Sequence, residues 1–108
     1  MTDNYLKLAS LRPSDTNENE LYEVPTDTEI VGMLFVCNQD TVTRTYSIAL
    51  TDTSGAAGND EWIRKDIDLL AGLSHRIGPL PLEEGQTVRV QSGTANTISY
   101  VLTALKIT

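Results

Sequence analysis

This chain has few residues of the types used in catalysis or metal binding, and they are not clustered in the sequence. His75 is the only histidine and Cys37 the only cysteine, and no HxH, HxxxH or CxxC spacing supplies further metal ligands. A catalytic cysteine needs an accessible, electropositive setting that stabilises its thiolate. Cys37 lies in the most apolar segment of the chain with no histidine beside it, which favours a small core residue. We predict no metal site and no cysteine nucleophile, and we interpret His75 as an ordinary surface or strand histidine.

Two pairs of neighbouring acidic residues contain the side chains needed for a general acid and a general base. They are Asp66 with Asp68 and Glu83 with Glu84. That chemistry needs one carboxyl group desolvated and another ionised across a cleft. Asp66 and Asp68 share one face of a predicted strand, as surface acids often do, and Glu83-Glu84-Gly85 is typical of a tight turn. The chain has no Walker-type loop, no GxGxxG and no GxSxG. We therefore predict no enzymatic activity and no cofactor.

The single tryptophan, Trp62, stands beside Arg64 and Lys65, directly after the flexible segment 51–60. Tryptophan and arginine are enriched at binding hot spots, which makes Trp62 a candidate interface anchor. The alternative is that Trp62 closes one end of the hydrophobic core. The sequence leaves both interpretations open.

Composition predicts a single acidic domain over residues 1–108. Hydrophobic residues make up 40% of the 108 residues and charged residues 21%, which is typical of a globular chain. Fifteen acidic residues against eight basic ones give a net charge of -7, which argues against nucleic acid or an anionic membrane as the main partner. No apolar run approaches the roughly 20 residues that cross a bilayer as a helix.

The order of apolar and turn-forming residues predicts an all-β fold. Threonine, valine and isoleucine, which favour strands, number 14, 7 and 7. Short apolar or alternating segments recur between polar turns, as in an antiparallel β-sandwich of about seven or eight strands. The strand order stays open between a jelly roll and an immunoglobulin-like sandwich. The predicted segments are 5–9, 21–24, 29–37, 41–50, 62–70, 74–78, 87–91 and 97–107.

Three of these segments carry more specific expectations. Segment 29–37 is almost continuously apolar, which predicts a strand covered on both faces. Segment 41–50 alternates, which predicts a half-buried strand. Segment 62–70 is predicted to be a strand, with a short helix as the alternative, because Ile63, Ile67 and Leu70 also have helical spacing.

The first part of the chain is strongly acidic, with seven acids and two bases in residues 1–30. Residues 12–20 contain no large apolar side chain. We predict for residues 1–19 either an exposed arm that lies on a neighbouring subunit or a first short strand followed by a loop.

Several stretches, taken in order, resemble a family of small β-sandwich structural proteins of tailed bacteriophages. The resemblance covers nearly the whole chain and lies in Tyr5-Leu6-Lys7-Leu8, Leu21-Tyr22-Glu23-Val24-Pro25, Thr28, Phe35-Val36-Cys37-Asn38, Gly85-Gln86-Thr87-Val88-Arg89-Val90 and Thr94-Ala95-Asn96-Thr97-Ile98-Ser99-Tyr100.

The resemblance implies a non-enzymatic virion protein, made in the host bacterial cytoplasm, that acts as a capsid decoration (cement) protein. The implied partners are the major capsid protein or another virion structural protein, and further copies of the chain as a dimer or trimer. A tail fibre or baseplate subunit is the first alternative. A carbohydrate-binding module that stacks sugars on Trp62 with Tyr22 or Tyr46 is the second. The expected interface residues are Tyr5, Arg12, Trp62, Arg64 and Lys65.

Overall fold

Eight β-strands make up the described part of the chain. The computed structural model describes residues 3–53 and 55–107, with side chains from residue 6 onward. The strands are β1 (Asp3–Leu11), β2 (Asn19–Glu23), β3 (Glu29–Asn38), β4 (Arg44–Thr51), β5 (Trp62–Leu69), β6 (Ser74–Leu82), β7 (Thr87–Ser92) and β8 (Ile98–Ile107). Every predicted segment is a strand, including segment 62–70, for which a helix was the alternative. The all-β prediction is confirmed.

The strands form two antiparallel sheets that pack face to face. Sheet A has the strand order β1-β8-β3-β6, and sheet B has the order β2-β7-β4-β5. The first strand therefore pairs with the last, the second with the seventh, the third with the sixth and the fourth with the fifth. Such nested pairing is a long hairpin rolled into two sheets, which is the jelly-roll topology. The structure thus decides between the two strand orders that the sequence left open.

Strand β3 buries one face, so the prediction that both its faces are covered was wrong. Ile30, Leu34 and Val36 are buried between the sheets, whereas Val31 and Phe35 on the opposite face are exposed. The sequence is apolar on both faces, but within the described residues no third layer covers the outer side of sheet A. For the same reason Cys37, expected in the core, lies half-buried on the outer face.

Strand β4 departs from its prediction in the opposite direction. It was expected to be half-buried, yet four consecutive residues from Tyr46 to Ala49 are buried on both faces. Tyr46 and Ile48 enter the core, while Ala49 lies in register between Trp62 and Arg89, whose long side chains flank it. A small side chain in the middle of a sheet is covered by larger neighbours, a relation that alternation along one strand does not reveal.

Residues 3–11 are an integral strand of this domain, and the contact of residues 12–19 with a neighbouring subunit stays a prediction. β1 pairs with β8 from Asp3 to Leu11, and Leu8 and Leu11 pack against the core. The loop that follows is also held by its own domain, because Asn96 donates its backbone N–H to Pro13 and Gln91 donates to the Thr16 carbonyl. The alternative prediction, a first strand followed by a loop, describes this segment.

Tyr100 is a core residue whose ionisation is linked to folding stability. Its side chain is fully buried, and its hydroxyl contacts Ser92 Oγ at 2.9 Å and donates to the Gln91 carbonyl at 3.1 Å. Burial raises the pKa of Tyr100 to about 12. An exposed tyrosine in the unfolded chain has a pKa of about 10, so the folded state holds its proton more tightly.

We therefore expect the free energy of unfolding to fall as the pH rises from about 10 towards about 12, by about 2 to 3 kcal/mol from this group. Stability is fully retained below the unfolded pKa and is lost as the pH rises through the folded value of about 12. Denaturant unfolding at several alkaline pH values measures the slope. Tyr100→Phe should have a shallower slope, and an unchanged slope in that variant would contradict the assignment.

Candidate functional site

The outward surface of sheet A is apolar. Val31 and Phe35 of β3 point away from the core and are 39% and 38% exposed. Leu105 and Val101 lie directly opposite them on β8, and opposed residues of antiparallel strands share a face. Met33 continues the row between Val31 and Phe35. The apolar face of sheet A is the set Val31, Met33, Phe35, Pro81, Val101 and Leu105.

A shallow groove of about 250 Å³ crosses this face. Val31, Met33 and Leu105 line it, with Pro79 from the edge strand β6. A groove lined by apolar side chains can accept an apolar side chain from another surface. Contiguous exposed apolar surface of this kind usually marks an interaction site.

The outward surface of sheet B is mainly polar, although Trp62 also lies on it. Ser47 lies opposite Gln91 at its centre, and Glu20 lies opposite Arg89 nearer its edge. Arg89 also forms an ion pair with Glu18 in the preceding loop, with both side chains mostly covered. The two outer surfaces of the sandwich therefore differ, and the surface of sheet A has the composition of an interface centre.

Charges of both signs border the apolar face. Lys7 lies opposite Thr103 on one flank, and Arg76 lies opposite Phe35 on the other. Glu29 begins β3 at one end of the face, beside the acidic turn that contains Glu83. This part of a strongly acidic protein thus carries two basic flanks and an acidic end.

The expected interface residues whose side chains are described do not all lie on one surface. Arg12 is exposed and donates to Gln39 Oε1 at 3.2 Å, and Tyr5 lies in β1, where its side chain falls outside the described residues. Trp62 and Lys65 do come together, because Lys65 Nζ lies 4.1 Å from the centre of the indole ring. Arg64 lies apart from them and lines a cleft between β5 and β6.

Trp62 is half-buried on the polar side of sheet B and is not part of the core cluster. Its register partner is Ala49, which places the indole on the outer surface rather than over the end of the core. The interpretation of Trp62 as a core-closing residue was therefore wrong. Tyr46 is only 1% exposed, so it cannot be the stacking surface that a carbohydrate-binding module requires.

The candidate chemical groups lie in separate places. Among residues 3–53 and 55–107, no group of three or more histidine, cysteine, aspartate or glutamate side chains could hold a metal ion. Nor does that part of the chain contain a helix long and apolar enough to cross a membrane. Asp66 contacts the Ser47 hydroxyl, whereas Glu84 accepts a long hydrogen bond from the Asp27 backbone.

Val31 and Phe35 were missed as functional candidates because segment 29–37 was expected to be covered on both faces. A signal was present in the sequence. Segment 97–107 places Val101 and Leu105 at alternating positions, on the side opposite to the core residues Tyr100 and Leu102. Two neighbouring strands with apolar residues on both sides, in a chain without a predicted helix to cover them, indicate an exposed apolar face.

No protein-family model matches the chain, and no curated protein matches it either.

Proposed function

We propose that this protein is a non-enzymatic structural component of a tailed-phage virion, most concretely a capsid decoration protein that associates with copies of itself through the apolar face of sheet A. The observation that supports this proposal is the exposed apolar face on a domain whose other outer surface is mainly polar. The resemblance of the sequence to small phage β-sandwich proteins gives the biological setting. A tail fibre or baseplate subunit is the alternative within the same class.

The energetics suit an assembly protein. Burying exposed apolar surface contributes about 25 cal/mol per Å², and the half-exposed residues of the apolar face are already fixed in a rigid sheet. Little conformational entropy is therefore lost when they dock, compared with ordering a mobile loop. In a particle with many symmetry-related copies, modest contacts per copy add up to stable attachment through avidity.

A second copy of the chain fits this face because of the charges around it. Two proteins with a net charge of -7 repel each other, so they approach best where basic side chains reduce the repulsion. Lys7 and Arg76 flank the apolar face, and Glu29 stands at one end. A face that carries both positive and negative charges can be complementary to a second copy of itself, because in a two-fold interface each residue pair occurs twice. When two copies associate through sheet A, the surface of sheet B remains exposed and is available to bind the capsid shell.

Val31→Glu should disrupt self-association, since it places a carboxylate in the centre of the interface. Burying an uncompensated charge costs several kcal/mol, so we expect the dissociation constant to rise by about a hundredfold or more. Light scattering over a concentration series measures it. The matched control is Val42→Glu, because Val42 is 48% exposed but lies in the turn between β3 and β4, away from the apolar face.

The wild-type protein and Val42→Glu should form the same dimer or trimer while Val31→Glu is monomeric. Equal association of all three proteins would contradict the assignment of the interface. A monomeric wild type that also fails to bind particles assembled without it would overturn the proposed function.

The copy number in purified virions separates the two locations within the particle. A decoration protein is expected at hundreds of copies, comparable with the capsid protein, whereas a fibre or baseplate subunit is expected at few. Quantitative mass spectrometry of virions measures this ratio.

A further inference from the structure

A cleft opens at the edge of the sandwich, where residues of the edge strand β5 of sheet B and of the edge strand β6 of sheet A line it from either side. Its volume is about 390 Å³, within the range of small-molecule sites. Ile67 and Ile77 give it an apolar floor, and Tyr46 contributes from the core side. Arg64, His75 and Arg76 also border it.

The cleft contains a basic side chain and no acidic one. Arg64 lies opposite the buried Ile48 and so points towards the cleft, which no acidic side chain of the described residues lines. Arg76 also borders the cleft, but it lies opposite Phe35, so its side chain belongs to the outer face of sheet A. The acids of β5 lie on the other side of their sheet, because Asp66 contacts Ser47 and Asp68 lies opposite Thr45 on the outer surface. Within the described chain, neither arginine forms an ion pair, and Arg64 donates only to the Ile63 carbonyl on its own strand.

His75 lines the same cleft and is held in a fixed orientation by Tyr46. The Tyr46 hydroxyl lies 2.7 Å from His75 Nδ1, and the two rings meet edge to face at 5.7 Å. Burial raises the pKa of Tyr46, so its hydroxyl keeps its proton. This hydrogen bond runs from the Tyr46 hydroxyl to Nδ1 or from Nδ1–H to the hydroxyl oxygen, depending on the tautomer of the ring. When the tyrosine donates, the ring proton resides on Nε2, which is then available as a donor to a ligand.

We propose that this cleft binds a carboxylate carried on an apolar body, with Arg64 pairing with the carboxylate and His75 Nε2 donating to it. Guanidinium groups match the planar carboxylate, and charge-assisted hydrogen bonds are about twice as strong as neutral ones. The isoleucine floor favours an attached alkyl or aryl group over a fully hydrated anion such as phosphate. A terminal or side-chain carboxylate of a protein partner and a free organic acid share this chemistry.

Benzoate is the probe for this site, titrated into the full chain while the amide NMR signals are followed near neutral pH. We expect saturable shifts at Arg64, Ile67 and His75. Benzamide, which has the same shape without the charge, should bind about tenfold more weakly or not at all, and inorganic phosphate should also bind more weakly.

Arg64→Gln should weaken benzoate binding by about tenfold, the effect of losing one charge-assisted hydrogen bond. Lys65→Gln is the matched control, because it removes the same charge from the adjacent position of β5, where the ammonium group lies over Trp62 outside the cleft. Both residues are exposed, so both variants should keep the wild-type melting temperature. To distinguish a protein partner from a free organic acid, the same titration is made with a short peptide that ends in a free carboxylate and with the same peptide amidated at its C-terminus. Binding of the first peptide but not of the second indicates a protein source.

Three results would overturn the proposal. They are the absence of saturable shifts with benzoate, equal weakening by Arg64→Gln and Lys65→Gln, and tighter binding of phosphate than of benzoate. None of them depends on the apolar face of sheet A, so this test and that of the proposed function fail independently.

Discussion

Asn38→Asp is expected to lower the free energy of unfolding by about 4 kcal/mol near neutral pH, because it removes two buried donors and adds a buried charge. Asn38 is fully buried at the end of β3. Its Nδ2 donates to the Val42 carbonyl at 2.8 Å and to the Leu69 carbonyl at 2.9 Å. Its Oδ1 accepts from the Asp40 backbone at 2.8 Å. One side chain therefore joins the end of a sheet A strand to the turn before β4 and to the end of β5 in sheet B.

A carboxylate at this position faces two carbonyl oxygens. Both repel its negative charge, so the pKa of the introduced carboxyl should rise above the value of about 3.9 that it has in the unfolded chain. The stability of the variant is then least affected below that unfolded value and falls further as the pH rises towards neutrality. The pH dependence identifies the buried charge as the cause.

Urea denaturation of the variant and the wild type between acidic and neutral pH measures both effects. The matched control is Asn17→Asp, the same substitution at an exposed loop position, which should change stability by less than about 0.5 kcal/mol. If the two variants lost the same free energy, Asn38 would not link the two sheets as described.

Gly78→Ala is expected to cost about 3 kcal/mol, from backbone strain and from a steric clash together. Gly78 has φ +148° and lies in the part of β6 where the register with β3 shifts. A Cβ there would lie 2.9 Å from the Gly32 carbonyl oxygen and 3.0 Å from Met33 Sδ. The methionine side chain can move, but the backbone oxygen of Gly32 belongs to a central strand of sheet A and cannot.

The matched control is Gly72→Ala. Gly72 also has a positive φ, +71°, but no atom lies within 4 Å of the added Cβ. It should cost only about 1 kcal/mol, the strain of the left-handed backbone alone. Chemical denaturation of both variants gives the difference, and equal losses would show that the approach of β6 to β3 is looser than the structure indicates.

The eight strands follow from local sequence pattern. Segment 97–107 alternates with a period of two, and β8 has the corresponding alternation of buried and half-buried residues. Turn-forming residues bound the strands, as at Gly85, whose φ of +83° suits glycine. Alternation and turn chemistry depend on neighbours along the chain, so they can be recognised without knowing the fold.

Asn38 shows what such patterns miss. In the sequence it belongs to the polar run Asn38-Gln39-Asp40, which predicts a surface turn. In the structure Asn38 is buried and Gln39 is exposed. The difference comes from Leu69, which lies 31 positions away in the chain and brings a carbonyl oxygen that needs a donor. A single sequence does not reveal which distant residue will accept this hydrogen bond.

Composition and local pattern were enough to predict an acidic, all-β chain built of short strands with polar turns. The folded structure was needed to learn that β1 pairs with β8, that the strand order is a jelly roll and that Val31 and Phe35 face outward. It also brought Tyr46, Arg64 and His75 to one cleft. The physical reason is that strand formation depends on local backbone preferences, whereas pairing and exposure depend on which distant segments bury each other's apolar surface.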